Sequence, residues 1–405
     1  MKLKSLCGIA VIMLALAVTV QGQTSTWKSF RGNNTDGIAN SNGQLNTDWD
    51  AKAPTEVFKF ETGAGFPEVA VDEEKFYLHG VDTIRKEELL IAYDLETGKE
   101  QWRTLTDSMY FEDDGWGHGP RSTPAIDEKN IYVFTAFGKL KAIDKKSGKE
   151  LWMRDAMNEF NAQIPRWAFS SSPLLVDDMV IQETGGDENR ALTAFNKTNG
   201  KTIWSNGTGV AGYNSPQLMN INGEDQIIAV HDTVLNAYNK KGDMLWSYRM
   251  PIQGFTAVPV FIAPNKIFCN TVSRVGGFMI EINNNEVTEL YQSRVIQNNW
   301  SSSVYHDGYI YGFARARLMC MDAETGEAKW NMRGYGKGSI ILVDDHLVML
   351  SDAGEMVLVE ATPEAFKAKG SVQALEGKSW TAPAFVNGRV YLRNLTHFAC
   401  YEITK

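Results

Sequence analysis

A large aromatic residue or a base recurs a few positions ahead of most runs that read as inner strands. The series is Trp116, His118 and Arg121; Arg166 and Trp167; Tyr213; Phe255; Trp300; Lys337; and Trp380. Flat rings with fixed positive charge suit two tasks: holding a small anionic or planar ligand, or anchoring a protein partner, where aromatics and Arg are favoured. The competing reading is that these aromatics pack under surface loops and an N-terminal flap, while Arg121 and Arg166 pair with nearby acids. Arg315 and Arg317, two apart on one strand face, either join this group or pair with Asp322.

Covalent and metal chemistry find little support. Ser170-Ser171-Ser172 and Ser301-Ser302-Ser303 stand at strand starts without a Gly-x-Ser-x-Gly elbow, so they read as small polar residues lining a narrow channel. The six His residues show no His-x-His or His-x-x-x-His spacing, and no Cys-x-x-Cys occurs. Cys269, Cys320 and Cys400 sit in apolar runs and read as small buried hydrophobes. Asp187-Glu188 offers carboxylates, but a polar Gly-rich hairpin tip explains them equally well. No catalytic residue and no metal ligand is predicted.

The elements that position these residues are visible as an internal repeat. Ala92-Tyr-Asp94-Leu-Glu-Thr97-Gly98-Lys-Glu-Gln-Trp102 returns as Ala142-Ile-Asp144-Lys-Lys-Ser147-Gly148-Lys-Glu-Leu-Trp152. Further copies run from Ala194 through Gly200 to Trp204, from Ala237 through Gly242 to Trp246, and from Cys320 through Gly326 to Trp330. Asp or Asn opens the turn by accepting free backbone N–H groups, and Gly takes the positive φ of a bulged hairpin. The flanking residues alternate with period two, as paired strands do. The closing Trp has no partner within one sheet, so a neighbouring copy must cover it.

Upstream of each hairpin stands a second unit: Ser122-Thr-Pro124, Ser171-Ser-Pro173, Asn214-Ser-Pro216, Ala257-Val-Pro259 and Thr381-Ala-Pro383, each followed by an apolar run. Pro is tolerated at a strand start, where no ladder donor is lost. Each repeat is therefore a four-stranded antiparallel sheet of roughly 40–50 residues, a propeller blade. Trp102, Trp152, Trp204, Trp246, Tyr291 and Trp330 close six blades; a degenerate seventh spans about 338–375, and an eighth begins at Trp380 and lacks one strand. Residues 56–60 supply that strand and close the ring, removing two free edges. The reading is one all-β domain over 55–405, an eight-bladed propeller, with seven blades if the degenerate unit is a loop.

The Ala-x-Asp-x-x-Thr-Gly-x-x-x-Trp pattern resembles the tryptophan-docking motif of quinoprotein-type propellers, and the resemblance covers nearly the whole chain after the leader. It implies that each Trp lies against Ala and Gly of an adjacent blade. The family contains pyrroloquinoline-quinone (PQQ) alcohol dehydrogenases and the non-catalytic BamB-type outer-membrane assembly factor, so the motif specifies fold and not function. Trp27 to Ile38 resembles a segment preceding the first blade in small bacterial members, and residues 23–54 read as a flap over one face. Those enzymes generally carry adjacent Cys residues and a Ca²⁺ held by Glu, Asn and Asp; neither is identifiable here, so PQQ with Ca²⁺ is not expected.

Residues 1–22 read as a signal peptide, with Lys2 and Lys4 before an apolar run, Ile9 to Val20, that is short for a membrane span. An uncleaved anchor is the alternative. Cys7 precedes that run, so no lipobox is present, and no later segment is long enough to cross a membrane. The formal charge of −9 becomes about −11 without the two lysines. With no compensating basic run, nucleic acid is excluded as a partner. The expectation is a periplasmic or secreted, non-enzymatic scaffold for cell-envelope or secreted proteins, similar to BamB-type factors. The alternative is a quinoprotein-like oxidoreductase or small-ligand binder using the aromatic and basic ring.

Overall fold

Each repeat folds as the hairpin chemistry dictates. A computed structural model describes residues 24–251, 257–298 and 300–405; the expected signal peptide and Phe255 lie outside the described residues. In blade 1 the strands Ala70–Val71, Lys75–Asp82, Glu87–Asp94 and Glu100–Ser108 pair in that order. The Asp94 carboxylate accepts the Thr97 N–H at 2.8 Å, and Gly98 follows at φ +65°. Asp144 with Ser147 and Asp322 with Thr325 repeat this arrangement at 2.7 and 3.0 Å. The ladder slips by one residue beyond each turn, bringing Ala92 opposite Trp102, Ala142 opposite Trp152 and Ala194 opposite Trp204.

The register sets where the closing aromatics go. A Cβ added at Gly148 would lie 2.7 Å from the Trp102 ring, one at Gly200 2.7 Å from Trp152, and one at Gly242 2.5 Å from Trp204. Each indole thus lies flat against the glycine turn of the following blade, and only glycine permits the approach. Phe58 occupies this place against Gly98, and Tyr291 against Gly326. Trp246 and Trp330 face blades that lack the glycine turn. Their indole N–H groups donate to Gln226, within blade 4, at 2.8 Å and to the Thr362 carbonyl at 2.7 Å. Trp246 and Trp330 are buried and the other closing aromatics half-buried, each covering much of its ring against the next blade, so the contacts between blades form apolar seams.

All eight blades are present. The degenerate seventh is a complete sheet, Ser339–Val343, His346–Leu350, Glu355–Glu360 and Ala368–Gln373, which rules out the seven-blade alternative. Its first three strands are nearly continuous apolar runs buried on both faces, and only the outermost, Ala368–Gln373, is polar and largely exposed, so the sheet forms without the hairpin motif. Ile38–Ala39 adds a fifth, parallel strand to it. Blade 8 is Ala384–Val386, Arg389–Arg393 and His397–Glu402, completed by Thr55–Glu61 from the chain's beginning, with Phe60 opposite Phe398.

Around the axis, short polar side chains join one inner strand to the next. Thr123 Oγ1 accepts the Glu68 N–H, Ser172 Oγ the Thr123 N–H and Ser215 Oγ the Ser172 N–H, each at 2.9 Å. Ser302 Oγ accepts the Val258 N–H at 3.2 Å; Ser339 and Thr381 donate to the Trp380 and Phe66 carbonyls at 2.8 and 3.0 Å. The serine runs therefore fasten blades around the channel. Between blades 6 and 7 this task falls to the flap, where Arg31 donates to the Ile340 carbonyl at 2.7 Å and the Ser303 carbonyl at 3.2 Å.

Candidate functional site

Strand direction places the residues preceding each inner strand at one end of the channel, the mouth, and the flap at the other end. Trp27 pairs with Val71, the Lys28 carbonyl accepts the Ile126 N–H, Gln217 donates to the Thr35 carbonyl, and the Gly37 carbonyl accepts the Leu342 N–H. The flap so crosses from blades 1 and 2 to blades 4 and 7 and closes the channel with Phe30 and Arg31. The expectation that it covers the mouth aromatics is corrected: it forms the floor beneath them, because its backbone bonds the inner strands from below.

Above this floor lies a cavity of about 490 Å³ lined by Phe66, Trp116, Arg121, Trp167, Tyr213, Trp300 and Trp380, with Ser170, Ser215, Ser301 and Ser302 deeper in. Its wall is a tryptophan cluster: Trp300 and Trp380 have centroids 4.1 Å apart, and Trp116 lies 5.7 Å from Trp380 and 6.1 Å from Trp300. Phe66 stacks on Trp380 at 6.2 Å. Lysines cap the outer faces: Lys378 Nζ is 4.6 Å from the Trp380 ring and Lys337 Nζ 4.8 Å from Trp300. Opposite, Trp167 packs on Tyr213 at 5.4 Å.

Of the residues predicted from sequence, Arg121, Trp167, Tyr213, Trp300 and Trp380 line this one cavity, and Lys337 lies against its wall. Arg121 pairs with no acid, contrary to the competing expectation; it donates to the Gly119 and Gly117 carbonyls and lies 5.2 Å over Phe66 and 5.3 Å over Tyr110. Burial pulls its guanidinium below the usual range, and burial likewise raises the Tyr213 phenol. Arg166 does meet an acid, Asp114 at 3.0 Å, out on the exposed rim. His118 does not line the cavity: its Nδ1 accepts the Glu112 N–H at 3.1 Å and its ring meets Phe111, so it packs the loop beneath. Arg315 and Arg317 reach neither the cavity nor Asp322, whose carboxylate is taken by its own turn.

Phe66 and Lys378 were missed from sequence. Phe66 stands ahead of the first inner strand as its counterparts do, whereas Lys378 carries no signal of its own. Glu68 and Arg31 were missed as well. Glu68 is buried and accepts the Arg31 backbone N–H at 2.7 Å and the Trp27 indole N–H at 3.3 Å. Burial pushes its carboxyl up to about 7, opposed by the Arg31 charge. Trp300 Nε1 and Ser170 Oγ border the cavity without a protein partner.

The lining does not fit a quinone held on Ca²⁺. Glu68 is the only carboxylate among the described lining residues and is already engaged, and no cluster of three His, Cys, Asp or Glu suited to a metal occurs among the described residues. What the cavity offers is stacking surface, positive charge at its edge and a few unpaired polar atoms.

Eight four-stranded sheets around a plugged, aromatic-lined channel define a PQQ-like β-propeller. Residues 85–332 match the family described as outer membrane protein assembly factor BamB, and the chain belongs to that family. The BamB of Yersinia pestis is 22% identical over 294 residues, covering 65% of this chain and 69% of its own. The crystal structure of BamB from Moraxella catarrhalis superposes with a TM-score of 0.63 at 13% identity, over 86% of this chain and 97% of that one. The quinohemoprotein alcohol dehydrogenase of Comamonas testosteroni gives 0.65 at 11% identity, over 94% and 81%. At such identities the structural likeness speaks for the fold alone.

Proposed function

We propose that this chain is an exported, non-enzymatic scaffold of the cell envelope, similar to BamB-type assembly factors, whose mouth face receives protein partners. The observation that carries this reading is the distribution of exposed apolar side chains. Away from the outer strands, Ile84, Phe111, Trp116, Ile164, Val210 and Val272 stand on loops or turns at the mouth end and Met157 on the short helix Ala156–Phe160 there, whereas among the described residues Ile38 alone stands on the flap side. Exposed aromatic and aliphatic groups gathered on one face, flanked by Arg166 and Trp167, suit protein recognition. The family's shared description and the absence of a catalytic constellation among the described residues agree with it. The test is co-purification of known envelope proteins with the full chain and its Arg166→Ala and Trp167→Ala variants; partners retained equally by all three forms overturn the reading.

A second reading is favoured by one observation, the cavity with unpaired Trp300 Nε1 and Ser170 Oγ. It is a small planar or anionic ligand held between Trp167 and the tryptophan cluster. Incubation with PQQ and Ca²⁺, followed by quinone absorbance and dye-linked alcohol oxidation, tests the oxidoreductase form of it. Oxidation by the chain overturns the non-enzymatic scaffold.

A further inference from the structure

On the mouth side of blade 6, away from the tryptophan cavity, four arginines come together around a groove of about 700 Å³. Arg294 comes from the end of blade 5, Arg315 and Arg317 from the hairpin between the second and third strands of blade 6, and Arg333 from the end of its last strand. Ala314, Ala316, Gly334 and Gly336 keep the floor between them low. Among the described residues, none of the four guanidinium groups makes a hydrogen bond or ion pair. Arg317 and Arg333 are direct cross-strand partners, so two like charges share one face. That arrangement is destabilising unless an anion lies between them.

The acids of blade 6 do not relieve it. Asp307, Asp322, Glu324 and Glu327 all lie on turns at the opposite, flap-side face. At the groove's edge Asp352 of blade 7 lies against Gly336 and accepts the Lys337 N–H at 3.1 Å. In a chain of net charge −9, charge is thus segregated within one blade, with the cations left open on the face that carries the exposed apolar loops.

We infer that this groove binds an acidic peptide segment of a partner protein through its carboxylates; the inference rests on the scaffold reading only in taking the partner to be a protein. Guanidinium forks match carboxylates two bonds at a time, and all four cations here are Arg and none Lys. The site is concave and floored by Ala and Gly, which suits an extended chain. A flat membrane surface is met by bases beside apolar anchors, whereas these arginines surround a concavity that no exposed large apolar side chain lines.

The test is fluorescence anisotropy of a labelled oligoglutamate peptide with the full chain, beside its Arg315→Glu and Arg333→Glu variants. Arg85→Glu, on an exposed hairpin of blade 1, is the control, and unfolding midpoints confirm that all variants fold. The expected result is saturable binding at low salt, about tenfold weaker for each reversed arginine and unchanged in the control. No binding, or binding indifferent to both reversals, overturns the inference. So does binding to phosphatidylglycerol vesicles in place of the peptide, lost on the same reversals, which would make the groove a lipid-headgroup site. Because the co-purification assay varies Arg166 and Trp167 at the cavity rim, its failure and the failure of peptide binding are separately visible.

Discussion

The backbone N–H of Arg31 meets the carboxylate of Glu68 at 2.7 Å in the floor of the channel, with both residues almost fully withdrawn from water. That bond fixes the flap's Arg31 at the axis, where its guanidinium reaches across to blades 6 and 7. One flap residue therefore stands in for the serine, threonine and, between blades 4 and 5, Asn214 links that join blades elsewhere around the ring.

Arg31→Met keeps much of the side-chain volume and removes the donors. It leaves the Ile340 and Ser303 carbonyls buried without this partner and is expected to cost about 3 kcal/mol or more. Denaturant unfolding of the two proteins checks this; an unchanged midpoint would show that water replaces the guanidinium at no cost.

Glu68 ties stability to pH. Its folded value of about 7 lies above its ordinary value of 4.5, so between those limits the folded chain holds a proton that the unfolded chain has lost. Stability contributed at this site is therefore intact below pH ~4.5 and declines as pH rises to ~7, by about 3 kcal/mol at most. Glu68→Gln is expected to flatten the stability–pH profile over that interval, read by unfolding midpoints at stepped pH. A profile of unchanged slope counts against burial as the cause.

Gly200→Ala and Gly43→Ala separate backbone strain from packing. Both glycines have φ near +70°, but a Cβ at Gly200 strikes the Trp152 ring at 2.7 Å while one at Gly43 meets nothing within 4 Å. Gly43→Ala should cost about 1–2 kcal/mol from left-handed strain alone. Gly200→Ala should cost a further 1–3 kcal/mol, approximately, as the indole is displaced. Equal losses would remove the glycine–indole contact from the account of how blades adhere.

Trp152→Ala and Trp380→Ala separate the seam from the mouth. Trp152 lies against Gly200, and its indole donates to the Lys197 carbonyl at 2.9 Å, so its loss is expected to cost about 3–5 kcal/mol. Trp380 borders the cavity, and its replacement should cost much less while altering what the mouth binds. Thermal unfolding of both variants decides this, and equal destabilisation contradicts the division.

Most of the fold was legible because its signals are local. Asp94, Gly98 and Trp102 lie within one hairpin, and their recurrence counts the blades. Blade 7 lost that motif and was read only faintly, although its continuous apolar runs, Ser339–Val343, His346–Leu350 and Glu355–Glu360, suffice to build a sheet buried on both faces. The positions of Trp300 and Trp380 could be anticipated because everything preceding an inner strand shares one end of the channel. Arg31 could not be placed: its acceptors are backbone carbonyls some three hundred residues away, and a carbonyl has no sequence signature. The arginine groove escaped for a similar reason, since Arg294, Arg315, Arg317 and Arg333 converge only when two blades stand side by side.

Because Thr55–Glu61 finds its partner only in His397–Glu402, the disc is an open arc until that strand has been made. Seven blades can form in the order of synthesis, but meanwhile the outer faces of blades 1 and 7 lack a neighbour and Thr55–Glu61 stays an unpaired strand. A disc built this way closes only after His397–Glu402 has been synthesised, and losing that strand would unfasten one laid down more than three hundred residues earlier.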